Sequence, residues 1–385
     1  MGNENELVPV TEEVILLTVK DRNSQYSIKE MNSLIENLNA IVVETLLIRK
    51  DSITASAYVG KGKEQELRLR IKELGTETVV INDNISPSQK KVLEGRLEVK
   101  ILDRTEVIIA IFASRALTKE AKLQVEIAQL QYLLPRLTRL WTHLSRQQGG
   151  IGMRGVGEKQ IEIDRRLASG RISKLKKELE KIKLYRSTQR KQRMQGGMPS
   201  FAIVGYTNAG KSSLFNDFKG KNVEAKDQLF ATLDTITKKV WLNDGEFYLV
   251  DTVGFITNLP HFLVDSFKAT LEEVLLCDYL IHVIDISNKQ YIQQIKAVNE
   301  ILAELGMQDK PIIEVYNKCD QLPKENLPDS IEKLNDQKND QSVDNPTEQK
   351  NEIDDRLIVS IKTGENMDKL KVLIHEKMKE HKNES

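Results

Sequence analysis

At 385 residues the chain is too long for one ordinary core, and two or three domains of roughly 100 to 200 residues are expected. Its 57 basic and 57 acidic side chains cancel, which argues against a protein that coats nucleic acid; two cysteines, Cys277 and Cys319, are too few for a disulfide framework and show no metal-ligand spacing. No apolar run reaches the ~18 residues of a membrane span, and the opening stretch Met1 to Glu6 lacks a basic segment leading into an apolar one, so a soluble cytoplasmic protein is expected.

The first hundred residues alternate β-type runs with amphipathic stretches. Val14–Val19, Ile41–Ile48, Thr78–Ile81 and Val99–Leu102 read as strands with helices between them, the signature of a small parallel α/β unit. Val59-Gly60-Lys61-Gly62-Lys63 lacks P-loop spacing and reads as a turn that starts a helix. From about Leu117 to Leu144, Leu123, Ile127, Leu130, Leu134 and Leu137 mark one face of a long helix, interrupted or kinked near Pro135. Ile172, Leu175, Leu179 and Ile182 mark a second long helix, and the two are expected to pack as an antiparallel hairpin. The connection carries Gly149, Gly150, Gly152, Gly155 and Gly157 at its tip. Gln195-Gly196-Gly197-Met198-Pro199 reads as a hinge.

Beyond the hinge a second α/β alternation begins, with strands at Phe201–Val204, Val240–Leu242, Phe247–Val250, Leu280–Ile284, Ile312–Tyr316 and Leu357–Val359. Asn243-Asp244-Gly245-Glu246 signals a hairpin between the second and third. Pro323 to Asp355, rich in Asn, Asp, Gln, Glu and Lys, offers too little apolar area to offset ordering and reads as a loosely ordered insertion. The expected organisation is therefore an α/β subdomain over residues 1–115, a helical hairpin over 116–195, and a third domain over 196–380.

That third domain carries phosphate chemistry. Gly205-Tyr206-Thr207-Asn208-Ala209-Gly210-Lys211-Ser212 fits the P-loop pattern and lies between a strand and a helix, where backbone N–H groups can close around phosphates, Lys211 can reach the β and γ phosphates and the Ser212 hydroxyl can bind Mg²⁺. Asp251-Thr252-Val253-Gly254 follows the strand Phe247–Val250, placing Asp251 toward the magnesium and the Gly254 N–H toward the γ phosphate. Asn317-Lys318-Cys319-Asp320 completes the order: a carboxylate at Asp320 accepts from N1–H and the exocyclic amine of guanine, donors that adenine does not present together. Within Phe230-Ala231-Thr232-Leu233-Asp234, Thr232 is the candidate to complete the magnesium shell in the GTP state, with Thr235 and Thr237 as rivals. Ser360-Ile361-Lys362 stands where a base-stacking loop belongs, with Ile361 in place of the usual Ala, so nucleotide off-rate or preference is expected to suffer. Phe255 follows Gly254 where fast Ras-like enzymes place a water-orienting Gln, so unassisted hydrolysis should be slow. His143, His261 and His282 form no catalytic or metal constellation.

These segments resemble the HflX family of translational GTPases over about residues 55 to 380. The likeness rests on Phe230 to Asp234, Asp251 to Ile256, Leu259-Pro260-His261 and Thr270 to Glu273, and on Asp103-Arg104-Thr105, Ile111-Phe112-Ala113, Gln124-Val125-Glu126, Leu133 to Leu137 and the glycine loop Gly149 to Glu158. The resemblance implies an N-terminal region that binds the large ribosomal subunit, a GTPase domain that docks where translation factors do, splitting of stalled ribosomes by the GTP-bound protein, and hydrolysis stimulated by the large subunit. It further implies that the glycine tip approaches the peptidyl-transferase region, a link to antibiotic tolerance in some members. Met153, Val156, Lys159, Thr235-Ile236 and Phe262 depart from the family pattern, as a divergent paralogue would.

Between Arg171 and Arg193 ten basic residues face two acidic ones, Glu178 and Glu180. Beside the tip residues Arg146, Gly149, Gly150 and Arg154, this stretch, with Arg171, Lys174 and Arg186, is expected to contact RNA by phosphate neutralisation. Tyr132 and Trp141 read as core more readily than as base-stacking platforms. The expectation is a GTP-hydrolysing, Mg²⁺-using factor, monomeric, whose partner is the large ribosomal subunit. The alternative is a GTP-gated RNA chaperone or assembly factor of that subunit.

Overall fold

The computed structural model describes residues 11–21, 24–140, 156–194, 197–218, 230, 234–243, 245–257, 260, 262–263, 273–323 and 355–384, without side chains at 137–140, 156–161 and 185–194. The chain forms two compact units, Met1–Lys181 and Ile182–Ser385. The division falls inside the basic helix, upstream of the glycine hinge.

In the first unit, β-branched and leucine-rich runs form β1 (Glu12–Lys20), β2 (Ala40–Arg49), β3 (Thr78–Ile81) and β4 (Lys100–Asp103), all parallel in the order β2-β1-β3-β4. Parallel strands need crossovers, and helices α1 (Ser24–Glu36), α2 (Lys61–Leu74) and α3 (Pro87–Leu97) supply them, while α4 (Arg104–Arg115) follows β4. Ile15, Leu17, Val79, Ile81 and Ile101 meet Leu67, Ile71, Leu93 and Leu97 on one face, while α1 and α4 touch each other and the sheet. Capping boxes start two of these helices, Ser86 with Gln89 and Asp103 with Glu106, each satisfying backbone N–H groups that the first turn leaves over. Gly60 caps α2, as the helix-starting reading of that loop expected.

Two longer helices follow, α5 (Lys119–Leu140) and α6 (Val156–Met194). Of the interruption or kink expected near Pro135, the interruption does not occur: α5 continues through it. Leu175 and Leu179 are buried as the apolar stripe required, and Arg171 pairs with Glu126 at 2.7 Å, tying α6 to α5. Of the expected glycine tip, Gly149, Gly150, Gly152 and Gly155 lie outside the described residues, as does Trp141, whereas Gly157 falls in the first turn of α6.

The second unit is a six-stranded sheet in the order β10-β9-β8-β5-β7-β6, formed by β5 (Ser200–Gly205), β6 (Ile236–Leu242), β7 (Gly245–Asp251), β8 (Tyr279–Asp285), β9 (Ile312–Asn317) and β10 (Arg356–Ile358). Of these strands only β6 runs antiparallel, pairing with β7, and Asn243 at its end sits at φ +49°. Gly245, read as a turn residue, lies in β7, where an added Cβ would sit 2.7 Å from Met378 Cε. Helices α7 (Lys211–Phe218), α8 (Tyr291–Glu304) and α9 (Met367–Glu384) cover the sheet, and Phe201 anchors the core, stacking on Tyr279 at 4.8 Å and meeting Phe247 edge-on at 5.3 Å. The bulk of the Pro323–Asp355 insertion lies outside the described residues.

Candidate nucleotide site

Parallel strands deliver their carboxyl ends to one edge of a sheet, and ligands of open α/β folds gather there. Register does this with β7, β5, β8 and β9: Ile203 pairs with Asp251, Gly205 with Val283, and Asp285 with Asn317. Gly205, Asp251, Asp285 and Asn317, distant in sequence, thereby end on the same edge.

The loop after β5 turns through Asn208 at φ +61° and Gly210 at φ +105° into the N-terminus of α7, whose unpaired amides favour an anion. At Gly210 a side chain is excluded twice, by that φ and by Asn317 Nδ2, which would lie 2.3 Å from an added Cβ. Asn317 is a brace: Nδ2 donates to Ala209 O at 2.8 Å, and Oδ1 accepts from Ile361 N–H at 3.1 Å, joining the P-loop to the 360–362 loop.

Lys211 lies buried with Nζ donating to Tyr206 O at 2.6 Å. Burial pushes its ammonium down to about 8, and Asp251 opposes the shift. A nearby anion therefore gains a buried cation in a site of low dielectric. Ser212 Oγ donates to Asp251 Oδ2 at 3.0 Å, which puts a hydroxyl and a carboxylate, both hard oxygen donors, side by side. That donor set fits Mg²⁺, an ion bound through one or two protein oxygens with phosphate and water completing the octahedron. Bound there, Mg²⁺ would neutralise charge on the phosphates; Lys211 Nζ and the α7 amides would hold them in line. Among the described residues no three His, Cys, Asp or Glu cluster as a separate metal centre. Thr252 serves the sheet: its hydroxyl donates to Ile203 O at 2.7 Å.

Ser360 Oγ donates to Asp320 Oδ1 at 2.7 Å and orients the carboxylate that the sequence assigns to guanine. Lys318, at φ +68°, turns its ammonium onto Asp285 at 2.8 Å. Cys319 Sγ donates to Glu365 at 3.6 Å and is buried. Ile361 packs against the core beside Gly210, while Lys362 is exposed. Phe230 is buried and Asp234 half-buried, whereas Ala231, Thr232 and Leu233 lie outside the described residues, so the choice among Thr232 and its rivals stays a sequence expectation.

Asp285 and Thr257 were missed in the sequence. For Asp285 a signal existed, an acid closing a parallel strand beside the tetrad's strand. For Thr257 there was none, because its partner is the Tyr206 hydroxyl, 51 positions away.

Strand order, P-loop, a Ser–Asp pair and a braced guanine tetrad define a P-loop GTPase, which binds GTP and Mg²⁺ and hydrolyses GTP. The model for "GTP-binding GTPase N-terminal" matches residues 25–113, that for "GTP-binding GTPase Middle Region" 115–193, and that for "50S ribosome-binding GTPase" 200–318. The GTPase HflX of Lacrimispora saccharolytica is 47% identical over 319 residues, covering 82% of this chain and 75% of its own. That of Escherichia coli is 43% identical, covering 77% and 70%. A crystal structure of an SsGBP and GDP complex aligns with TM-score 0.52 at 27% identity, covering 96% of this chain and 99% of that one. The chain belongs to the HflX family of GTPases.

Proposed function

We propose that this GTPase binds the large ribosomal subunit through its N-terminal region and, in the GTP state, splits stalled ribosomes, with the large subunit stimulating hydrolysis. What carries the reading is that the family's N-terminal and middle regions match from residue 25 to 193, ahead of a GTPase domain whose matching model is described as 50S ribosome-binding. The exposed side chains of Lys174, Lys176, Lys177 and Lys181 on α6 support it, offering cations to a phosphate backbone. Arg171 is half-exposed and already paired with Glu126, so its part in RNA contact requires that pair to open or to be shared. Arg146, Gly149, Gly150 and Arg154, with the side chain of Arg186, fall outside the described residues and complete the proposed RNA surface on sequence grounds alone.

In the proposed reaction Lys211, Ser212 and Asp251 hold phosphate and metal, Thr232 completes the metal shell, and the Gly254 N–H meets the γ phosphate. Hydrolysis then returns the protein to a state that leaves the subunit. We propose a monomer acting in the cytoplasm; among the described residues no helix is long and apolar enough to cross a membrane. The test is GTP hydrolysis by the protein alone and with large subunits, small subunits or whole ribosomes, beside sedimentation of ribosomes with a non-hydrolysable GTP analogue. Activation by large subunits on the order of 10³-fold or more is expected, with 70S particles converted to subunits. Preference for immature subunits, with assembled ribosomes left intact, would replace splitting with an assembly role.

A further inference from the structure

Tyr206 enters phosphate binding through its backbone, yet its side chain is buried and reaches across to the segment after Gly254. Its hydroxyl accepts from Thr257 N–H at 2.8 Å and lies 3.0 Å from Thr257 Oγ1. Between these anchor points the two segments also bond through their backbones: Phe255 N–H donates to Gly205 O at 3.1 Å, and Thr207 N–H donates to Phe255 O at 2.8 Å. Phe255 and Ile256 are buried as well. Gly254 rests on the phosphate lysine so closely that an added Cβ would lie 2.8 Å from Lys211 Nζ. The same Lys211 amine bonds the Tyr206 carbonyl oxygen, so one residue holds the phosphate lysine with its backbone and the γ-phosphate segment with its side chain.

We propose that Tyr206 is a positioning residue for GTP hydrolysis. Its hydroxyl, by holding Thr257, keeps Gly254 and Phe255 on the phosphate end of the P-loop before the nucleotide arrives. The physical reason is preorganisation. With Phe255 in the place of a water-orienting Gln, no side chain there can direct the attacking water, and catalysis leans on backbone donors set in place in advance. A segment left loose would have to be ordered during the reaction, and that entropy would add to the barrier. GDP has no γ phosphate, so its binding depends on the P-loop backbone, which Tyr206→Phe preserves.

The test uses the whole protein, without ribosomes, so its outcome stands apart from the ribosomal reading. Tyr206→Phe is expected to lower kcat about five- to tenfold, the scale of one lost hydrogen bond, with KM for GTP and GDP affinity within about twofold of the parent. Thr257→Val, which keeps the N–H and loses the hydroxyl, is expected to lower kcat about threefold and to add nothing in the Tyr206→Phe background. An unchanged kcat in Tyr206→Phe overturns the proposal, as does a joint loss of GTP and GDP binding, which would make Tyr206 a structural part of the P-loop. Additive losses in the double variant overturn it too. Should Tyr206→Phe fail to fold, Thr257→Pro, which removes both the N–H and the hydroxyl that meet Tyr206, decides, and an unchanged kcat there overturns the proposal.

Discussion

Gly210 shows how little latitude a phosphate loop allows. Its φ of +105° and the 2.3 Å approach of Asn317 Nδ2 to any Cβ mean that Gly210→Ala must distort either the loop or the Asn317 brace. GDP affinity is expected to fall at least about 100-fold, the scale of strained backbone plus a lost buried bond, with far-UV circular dichroism unchanged. Fluorescent-GDP titration measures it. The cysteines make a second residue-scale case. Burial, the largest cause, pushes the Cys277 thiol up to about 12, and burial with Glu365 pushes Cys319 up to about 11. Both stay protonated at neutral pH, so iodoacetamide at pH 8 should leave the native protein unlabelled and modify two sites after denaturation. Since the folded values are raised, the neutral thiols favour the fold below the unfolded thiol range, and that contribution disappears as pH climbs through about 11 to 12. Rapid labelling of either cysteine in native protein would contradict this.

At the level of elements, Asp103 joins the first sheet to α4 and α5. It ends β4, caps α4 by accepting from Glu106 N–H at 2.9 Å, and accepts from Tyr132 OH at 2.7 Å and Arg136 Nη2 at 2.9 Å. The Arg136 guanidinium lies 3.3 Å over the Tyr132 ring, and the same group donates to Ile85 O. Tyr132 is therefore core, as its helical spacing suggested. Desolvation raises the Asp103 pKa, so the buried carboxylate depends on these partners. Arg136→Ala should cost about 3 kcal/mol at pH 7, the penalty of a buried charge stripped of its partner. Because the folded pKa is raised and would rise further, the neutral acid is the better-tolerated form: the deficit should shrink as pH falls and be smallest below the ordinary Asp value. Urea unfolding at pH 7 and pH 5 tests this, and a deficit that grows with acid would refute it. Ser86→Ala, losing the capping box of α3, should cost about 1 kcal/mol.

For the whole molecule the consequence lies in two cores and one nucleotide site. The apolar cluster around β1 and β3 and the one around Phe201 share no residue, and every described nucleotide-site residue belongs to the second unit. Ligand binding stabilises only what must fold to bind it, by about 2.7 kcal/mol at a ligand concentration one hundred times Kd. Calorimetry with and without Mg²⁺–GDP should move the transition of the second unit upward and leave that of the first in place. Gly210→Ala should abolish the movement, and removing Mg²⁺ with a chelator should reduce it for GTP, whose γ phosphate the metal helps to hold. A single transition that shifts as one would show that the two cores unfold together.

The sequence by itself determined the elements and the class. Strands such as Thr78–Ile81 and Ile312–Tyr316 were legible as largely apolar runs, the second extended by Asn317 in the fold, and the P-loop, the Asp251 segment and the Asn317–Asp320 tetrad are each written in neighbouring residues. Such signals are local, because backbone propensity and loop shape depend on residues close along the chain. Only the tertiary structure decided that Asn317 braces Ala209, that Ser360 holds Asp320, that Asp285 takes the Lys318 ammonium, and that the Tyr206 hydroxyl fastens Thr257. It also moved Gly245 from the turn into a strand beside Met378 and carried α5 through Pro135. Each of these is a contact or continuity set by sheet register and helix packing, which bring groups 33 to 108 positions apart within bonding distance, or by neighbours that override a local breaker. No local pattern encodes that distance.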